Sequence, residues 1–343
     1  MKTLLYISFL MWALVGCNKN ATPSKGKHEI KVACYNVENL FDTKDDAGKI
    51  DEEFMPESKK KWTQERYIKK LNSIHKVLTS MEGDGNVPAI IGLVEVENKN
   101  VLRDLVRQTS INERYGIVHH ESPDVRGIDC ALLYDSSIFK ILKHEALPVN
   151  FDFDPEVKTR DIIYAKGQIN GTDEILHVFV NHWSSRRGGL EASEIKRVTC
   201  ALVLKGKLME ILEEDENAKI VVMGDFNDET DNKSISQTLG AKSNVKNLQN
   251  KELFNTAAML DKAGKGTYNY KGNWNMLDQI IISGNLINDK KGLNANYNMV
   301  IFQEDWMMYD DKKKGKVPSR TYGGPNYYGG YSDHLPVYLQ LTY

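Results

Sequence analysis

Asp333-His334, Asp278, Asp225-Phe226-Asn227, Asn181-His182, Glu95 and Asn36-Val37-Glu38 share one kind of address: each lies where a short apolar run begins or ends. Acids, amides and imidazoles are costly to bury without partners. The carboxylates of Glu95, Asp225 and Asp333, with oxygen from Asn36 or Glu38, are hard donors suited to Mg²⁺, with Mn²⁺ as the alternative. Amide donors and two histidines beside such a metal suit attack by water on a phosphate ester. The metal neutralises the phosphate and the developing charge, and one imidazole can remove a proton from water. No Cys-His cluster has zinc spacing, and there is neither a GxSxG elbow nor a Walker-type phosphate loop. Each piece also has a plain reading: "GDFND" as an Asx turn, Glu95 as a solvated strand end, His182 as a structural residue. The plain reading must be invoked six times, always at the same kind of place, and we reject it.

The elements that must position these residues can be read from hydrophobic periodicity. Residues 30–35, 89–94, 130–134, 175–180, 220–223, 279–282 and 335–341 form short apolar runs typical of buried strands. Helical spacing appears at 62–81, through Trp62, Ile68, Leu71, Ile74, Leu78 and Met81, and at 190–212, through Ile195, Val198, Leu202 and Leu208. Four strands carry polar residues at their C-terminal ends and two at their starts. If those two run antiparallel to the four, every candidate residue meets on one rim. Strands alternating with helices, without internal repeats, indicate a layered α/β architecture in one domain. Residues 302–330 are rich in Gly and Tyr and read as a long functional loop.

The bulk numbers fit this picture. A chain of 343 residues with 41% hydrophobic and 27% charged residues can bury a sizeable core. Lys plus Arg number 45 against 47 Asp plus Glu, so the net charge of -2 gives no global basic field for nucleic acid. The opening "MKTLLYISFLMWALVGCNKN" has an apolar run too short for a membrane span and suited to a secretory signal. Its "LVGC" resembles the lipobox of bacterial lipoproteins. The expectation is a signal peptide over 1–17 with a lipidated Cys17, a tether over 18–28 and a catalytic domain over 29–343. That makes the protein an exported, membrane-anchored lipoprotein, and nothing calls for a protein partner. Cys34, Cys130 and Cys200 are expected to be buried free thiols.

Seven motifs, in order, carry a family resemblance: "YNVENLFD" (35–42), "LVEVEN" (93–98), "RGIDCALLYD" (126–135), "NHWSSRRGG" (181–189), "GDFND" (224–228), "LDQIIIS" (277–283) and "SDHLPV" (332–337). Together they resemble the endonuclease/exonuclease/phosphatase superfamily. The resemblance implies a four-layer α/β sandwich of two packed sheets flanked by helices, with the site at one end. It also implies roles. Glu95 would be the principal metal ligand, with Asn36 and Glu38 close by and Asp333 adding to the metal environment. Asp225 and Asn227 would position the phosphate or the attacking water. His334, oriented by Asp278, would be the general base or a phosphate contact, and His182 would bind phosphate or protonate the leaving oxygen. Arg126, Arg186, Arg187 and Tyr331 are the expected substrate contacts, although a solvated basic turn explains Arg186 and Arg187 equally well. Val94 stands where the family's usual Gln precedes the metal-binding Glu.

The resemblance implies metal-dependent phosphoester hydrolysis better than it implies a substrate. Lys312, Lys313, Lys314, Lys316 and Arg320 beside Tyr322, Tyr327, Tyr328 and Tyr331 suit phosphate contact and base stacking, which favours a nuclease. A sphingomyelinase-like or inositol-phosphate activity is the alternative. A non-catalytic binding lipoprotein would be expected to lack Glu95, Asp225 or the Asp278-His334 pair, and all are present.

Overall fold

The computed structural model describes residues 28–83, 86–107 and 114–343. The expected signal segment, Cys17 and all but the last residue of the tether lie outside them. No helix among the described residues is long and apolar enough to cross a membrane.

Two six-stranded mixed sheets form the centre. The first runs in the order β13 (Asn294–Ile301), β18 (Val337–Thr342), β1 (Glu29–Leu40), β2 (Ile90–Val96), β4 (Asp129–Asp135), β3 (Tyr115–His119). The second runs β5 (Phe139–Leu147), β6 (Ile162–Ile169), β7 (Ile175–His182), β8 (Lys219–Asp225), β12 (Asp278–Ser283), β9 (Leu253–Asn255). Alternation along the strands assigns each side chain to a layer. In β1, Val32 and Cys34 enter the core between the sheets, whereas Ala33 and Tyr35 face the helices α1 (Gln64–Glu82) and α2 (Lys99–Arg107). In the second sheet Val221 and Met223 face inward, while Val222 and Phe179 pack against α3 (Leu190–Glu214). Helix, sheet, sheet, helix is the expected four-layer sandwich. Cys34, Cys130 and Cys200 are buried free thiols.

Direction of travel sets the rim. β1 pairs parallel with β2, and β7 parallel with β8. β18 runs antiparallel to β1, and β12 antiparallel to β8. The C-terminal ends of β1, β2, β7 and β8 therefore meet the beginning of β12 and the turn just before β18, with Asp278 directly opposite Asp225 and His182 beside it.

Two sequence expectations need correction. The apolar residues Ile195 and Leu202 of α3 are half exposed. The buried face instead carries Arg197, Cys200, Ala201, Leu204 and Leu208. Arg197 is wholly buried because its Nε lies 2.6 Å from the Asp228 carboxylate, a pairing that ties the helix to the turn after β8. Ile68 of α1 is likewise exposed, while Lys70 is buried. The stretch 302–330 is no open loop. It folds into two hairpins, β14 (Met308–Asp311) with β15 (Gly315–Pro318) and β16 (Tyr322–Gly323) with β17 (Asn326–Tyr327). Outside the two sheets lie the hairpin of β10 (Tyr268–Tyr270) and β11 (Asn273–Asn275) and the short helices α4 (Ala258–Lys262) and α5 (Asn285–Asn288).

One buried histidine outside the site makes stability depend on pH. His177 on β7 bonds through Nδ1 to the Tyr164 hydroxyl at 2.8 Å, and burial lowers it to about 4. The unfolded chain, with an ordinary histidine, binds the proton first as pH falls. Stability is therefore full above about pH 6.5 and declines towards pH 4. Urea unfolding at pH 7 and pH 4.5 should show wild type losing roughly 2 kcal/mol more than His177→Gln. Equal losses in the two proteins would refute the assignment.

Candidate active site

Two β-bulges build the metal side of the rim. The register of β1 against β2 shifts between Asn36 and Leu40, and that of β2 against β4 between Val94 and Val96. Bulges re-aim side chains. Here they leave Glu38, Asn39 and Glu95 with φ of 51, 54 and 64°. Asn227, in the turn after β8, has φ 51°. Left-handed backbone at non-glycine residues costs of order 1–3 kcal/mol each and persists where surrounding structure enforces it. Four such residues around one centre mark it as built for function.

The Glu95 carboxylate accepts the Asn39 N–H at 3.0 Å and lies 3.4 Å from Asn36 Nδ2 and 3.9 Å from His182 Nε2. Asn36 Nδ2 also donates to Asp225 Oδ2 at 3.0 Å, so one amide links the two sheets. Asp225 accepts the Asn227 N–H through its other oxygen at 2.9 Å, and Asn227 Nδ2 bonds the Trp183 carbonyl at 3.0 Å. His334 Nδ1 bonds Asp278 at 2.7 Å, leaving Nε2 facing Asp225 at 3.9 Å. Tyr268 stacks on the His334 ring at 4.7 Å, and Thr267 Oγ1 accepts the Asp278 N–H. Ser332 ties the turn to β1, donating to the Asn36 carbonyl and accepting the His334 N–H. Asp333 pairs with Arg320 at 3.0 Å.

These contacts give the two histidines opposite charge states. Burial pushes His334 down, but Asp278, Asp225 and Asp333 outweigh it and hold the imidazole well above the usual histidine value. His182 is driven well below that value by burial, then by Arg160 and Arg126. One side of the centre thus carries an imidazolium able to donate to a phosphate oxygen, and the other a neutral ring. Burial also raises Asp225 and Asp333, so five carboxylates (Glu38, Glu95, Asp225, Asp278, Asp333) stand against Lys70, Arg320 and the charged His334. Such a surplus of oxygen donors fits a divalent cation, with Glu95, Asn36 and Asp333 as the residues that would hold it.

The geometry draws together Asn36, Glu95, His182, Asp225, Asn227, Asp278, Asp333 and His334. Arg126 and Arg187 lie on one open cavity beside them, with Arg160 and Ser184. Three expected residues make contacts of their own beyond this group. The Glu38 carboxylate accepts the Thr321 and Tyr322 N–H groups at 2.6 and 3.4 Å, anchoring the segment that carries Arg320 instead of facing the metal position. Arg186 bonds the Asn227 carbonyl at 2.7 Å and the Asn232 side chain at 3.3 Å, bracing the turn after β8. Tyr331 packs edge-on against Trp306, and its hydroxyl meets Lys76.

Residues the sequence reading left out complete the site. Arg160 is buried, bonding Asp124 at 3.2 Å and the Trp183 carbonyl at 2.6 Å. It sits just before β6, which runs antiparallel to β7, so the same strand-start rule would have found it. Lys70 reaches Thr321 Oγ1 at 2.6 Å from α1, and Tyr268 comes from a short hairpin. No local signal announces either.

Comparison with known proteins bears on the family and the fold. A model of the endonuclease/exonuclease/phosphatase family matches residues 31–343. No curated protein matches in sequence. Among solved structures, a family protein from Bacteroides thetaiotaomicron superposes with a TM-score of 0.56 at 15% identity, covering 92% of this chain and 98% of its own. The human nocturnin catalytic domain with bound sulfate gives 0.55 at 18%, covering 91% and 94%. A mannosyl-6-phosphatase from Bacteroides thetaiotaomicron gives 0.56 at 16%, covering 92% and 100%. At these identities the neighbours speak for the fold, and the family match speaks for the chemistry. The chain belongs to the endonuclease/exonuclease/phosphatase family, and is a metal-dependent hydrolase of phosphoester bonds.

Proposed function

We propose that the protein is a Mg²⁺-dependent nuclease, cutting phosphodiester bonds in DNA or RNA. The observation that carries this reading is a cavity of about 550 Å³ beside the centre, lined by Tyr309, Tyr327, Tyr328, Lys314, Ser319 and Arg320. Arg320 belongs to both: it lines the cavity and binds Asp333. Tyr309 and Tyr328 are more than half exposed and offer faces for stacking bases.

The roles follow from the charges. Asp225, raised by burial and fixed by Asn36 and Asn227, accepts a proton from the attacking water. The His334 imidazolium donates to the phosphate and offsets its charge. His182 and Asn227 orient the remaining phosphate oxygens. A divalent cation bound at Glu95 would supply charge neutralisation at the phosphate. The N-terminal reading adds that the domain is exported and held at a membrane through Cys17.

The test is incubation of the purified protein with supercoiled plasmid, in Mg²⁺ and in EDTA, with Glu95→Ala alongside. Nicking that needs metal and vanishes in the variant is the expected result. Intact plasmid, with hydrolysis of sphingomyelin, inositol phosphates or sugar phosphates instead, would overturn the nuclease reading and keep the family chemistry.

A further inference from the structure

A second cluster of ligand-bearing side chains lies one strand beyond Glu95. β3 ends at His119 and β4 begins at Asp129, which stands opposite Val96 on β2. His119 Nε2 is 3.0 Å from Asp129 Oδ2, and His119 Nδ1 is 3.9 Å from Glu121 Oε1. One donor atom from each of the three residues falls within 4.8 Å of the others. The imidazole and the Asp129 carboxylate are almost wholly buried, at 3% and 1% exposure, while Glu121 opens to solvent at 57%.

We propose that His119, Glu121 and Asp129 form a second divalent-cation site, distinct from the catalytic one and suited to Zn²⁺. One imidazole nitrogen with two carboxylates is a mixed donor set that favours a borderline transition metal over Mg²⁺. Asp129 is already oriented for it, because its other oxygen accepts the Ser122 N–H at 2.9 Å. The neighbouring cation, Lys49, spends its ammonium on the Ser122 and Asp124 carbonyls.

The position gives the site a purpose. Glu121 and Asp129 are the two ends of the loop that carries Asp124 and Arg126. Asp124 accepts the Arg126 N–H and pairs with Arg160, which in turn bonds the carbonyl next to His182. A cation joining the loop's ends would fix Arg126 and Arg160 relative to the centre, a structural metal that supports the catalytic one.

The test is equilibrium dialysis of the full protein, stripped by chelator, with Zn²⁺ in millimolar Mg²⁺. Wild type and Glu95→Ala should each retain one Zn²⁺ per chain at this site. Glu121→Gln, at an exposed position, and His119→Gln should each weaken that binding at least about tenfold. Should His119→Gln fail to fold, the Glu121 variant decides alone. Zn²⁺ retention by Glu121→Gln equal to wild type, or its loss only in Glu95→Ala, would overturn the proposal. The readout is Zn²⁺ retention and not plasmid nicking, so failure of this site and failure of the nuclease reading are told apart.

Discussion

His334→Gln is expected to lower turnover about 10³-fold, equivalent to about 4 kcal/mol of transition-state stabilisation, with KM moving far less. The size follows from three carboxylates holding the imidazole charged at a position where a phosphate gains negative charge as it reacts. Asp278→Asn separates charge from shape. The amide can still bond Nδ1, but the nearest supporting charge is gone and the histidine's affinity for its proton falls. The alkaline limb of the kcat profile should then move to lower pH, because the charged form is lost earlier on raising pH. A profile unchanged in Asp278→Asn would sink the assignment of a charged His334, even if the glutamine variant is inactive.

Gly224→Ala should destabilise the fold by about 3 kcal/mol or more, read as a drop in the urea midpoint at unchanged slope. A Cβ at this position would lie 2.0 Å from the Asn181 carbonyl oxygen and 2.8 Å from its carbon. Both are backbone atoms of the paired strand and cannot rotate away. The φ of 154° adds strain for any side chain. Because Gly224 sits opposite Asn181, directly before Asp225, any relief by parting β7 from β8 would also separate His182 from Asp225. Whatever folds should therefore be nearly inactive. Gly206→Ala on α3 serves as the control, since its Cβ would meet nothing within 4 Å and should stabilise the helix by up to about 1 kcal/mol. Similar effects in the two variants would mean the close approach of β7 and β8 is not what requires glycine.

Much of the site was legible because of where its residues sit. Asn36, Glu95, His182, Asp225, Asp278 and His334 each interrupt an apolar run, and the strand directions that unite them follow from the run ends alone. What could not be read was which polar group satisfies which. Glu38 lies two residues from Asn36 and shares its strand end, yet its oxygens go to backbone N–H groups 283 and 284 residues along the chain. Arg186 and Arg187 are neighbours in a basic turn, but one braces the Asn227 turn and the other is exposed. The inward face of α3 was misread for a similar reason. Arg197 is buried only because Asp228 awaits it, and small residues such as Cys200 and Ala201 pack where the larger Ile195 and Leu202 do not. The Tyr-rich stretch 302–330 looked open because its strands are two to four residues long, too short to show alternation. Tertiary partners, absent from any local window, decided each case.

The antiparallel seating of β18 on β1 has a consequence for synthesis. Every other residue of the centre precedes Asp333 and His334 in the chain, yet Asn36 receives its Ser332 contact and Asp278 its imidazole only once that last turn has docked. A polypeptide growing from its N-terminus would carry Glu95, His182 and Asp225 through roughly its last third without a complete centre. The centre would be complete only once the turn at His334 and the strand after it have docked on the first strand. Chain order itself thus places completion of the centre at the end of folding, on the docking of one turn and one strand.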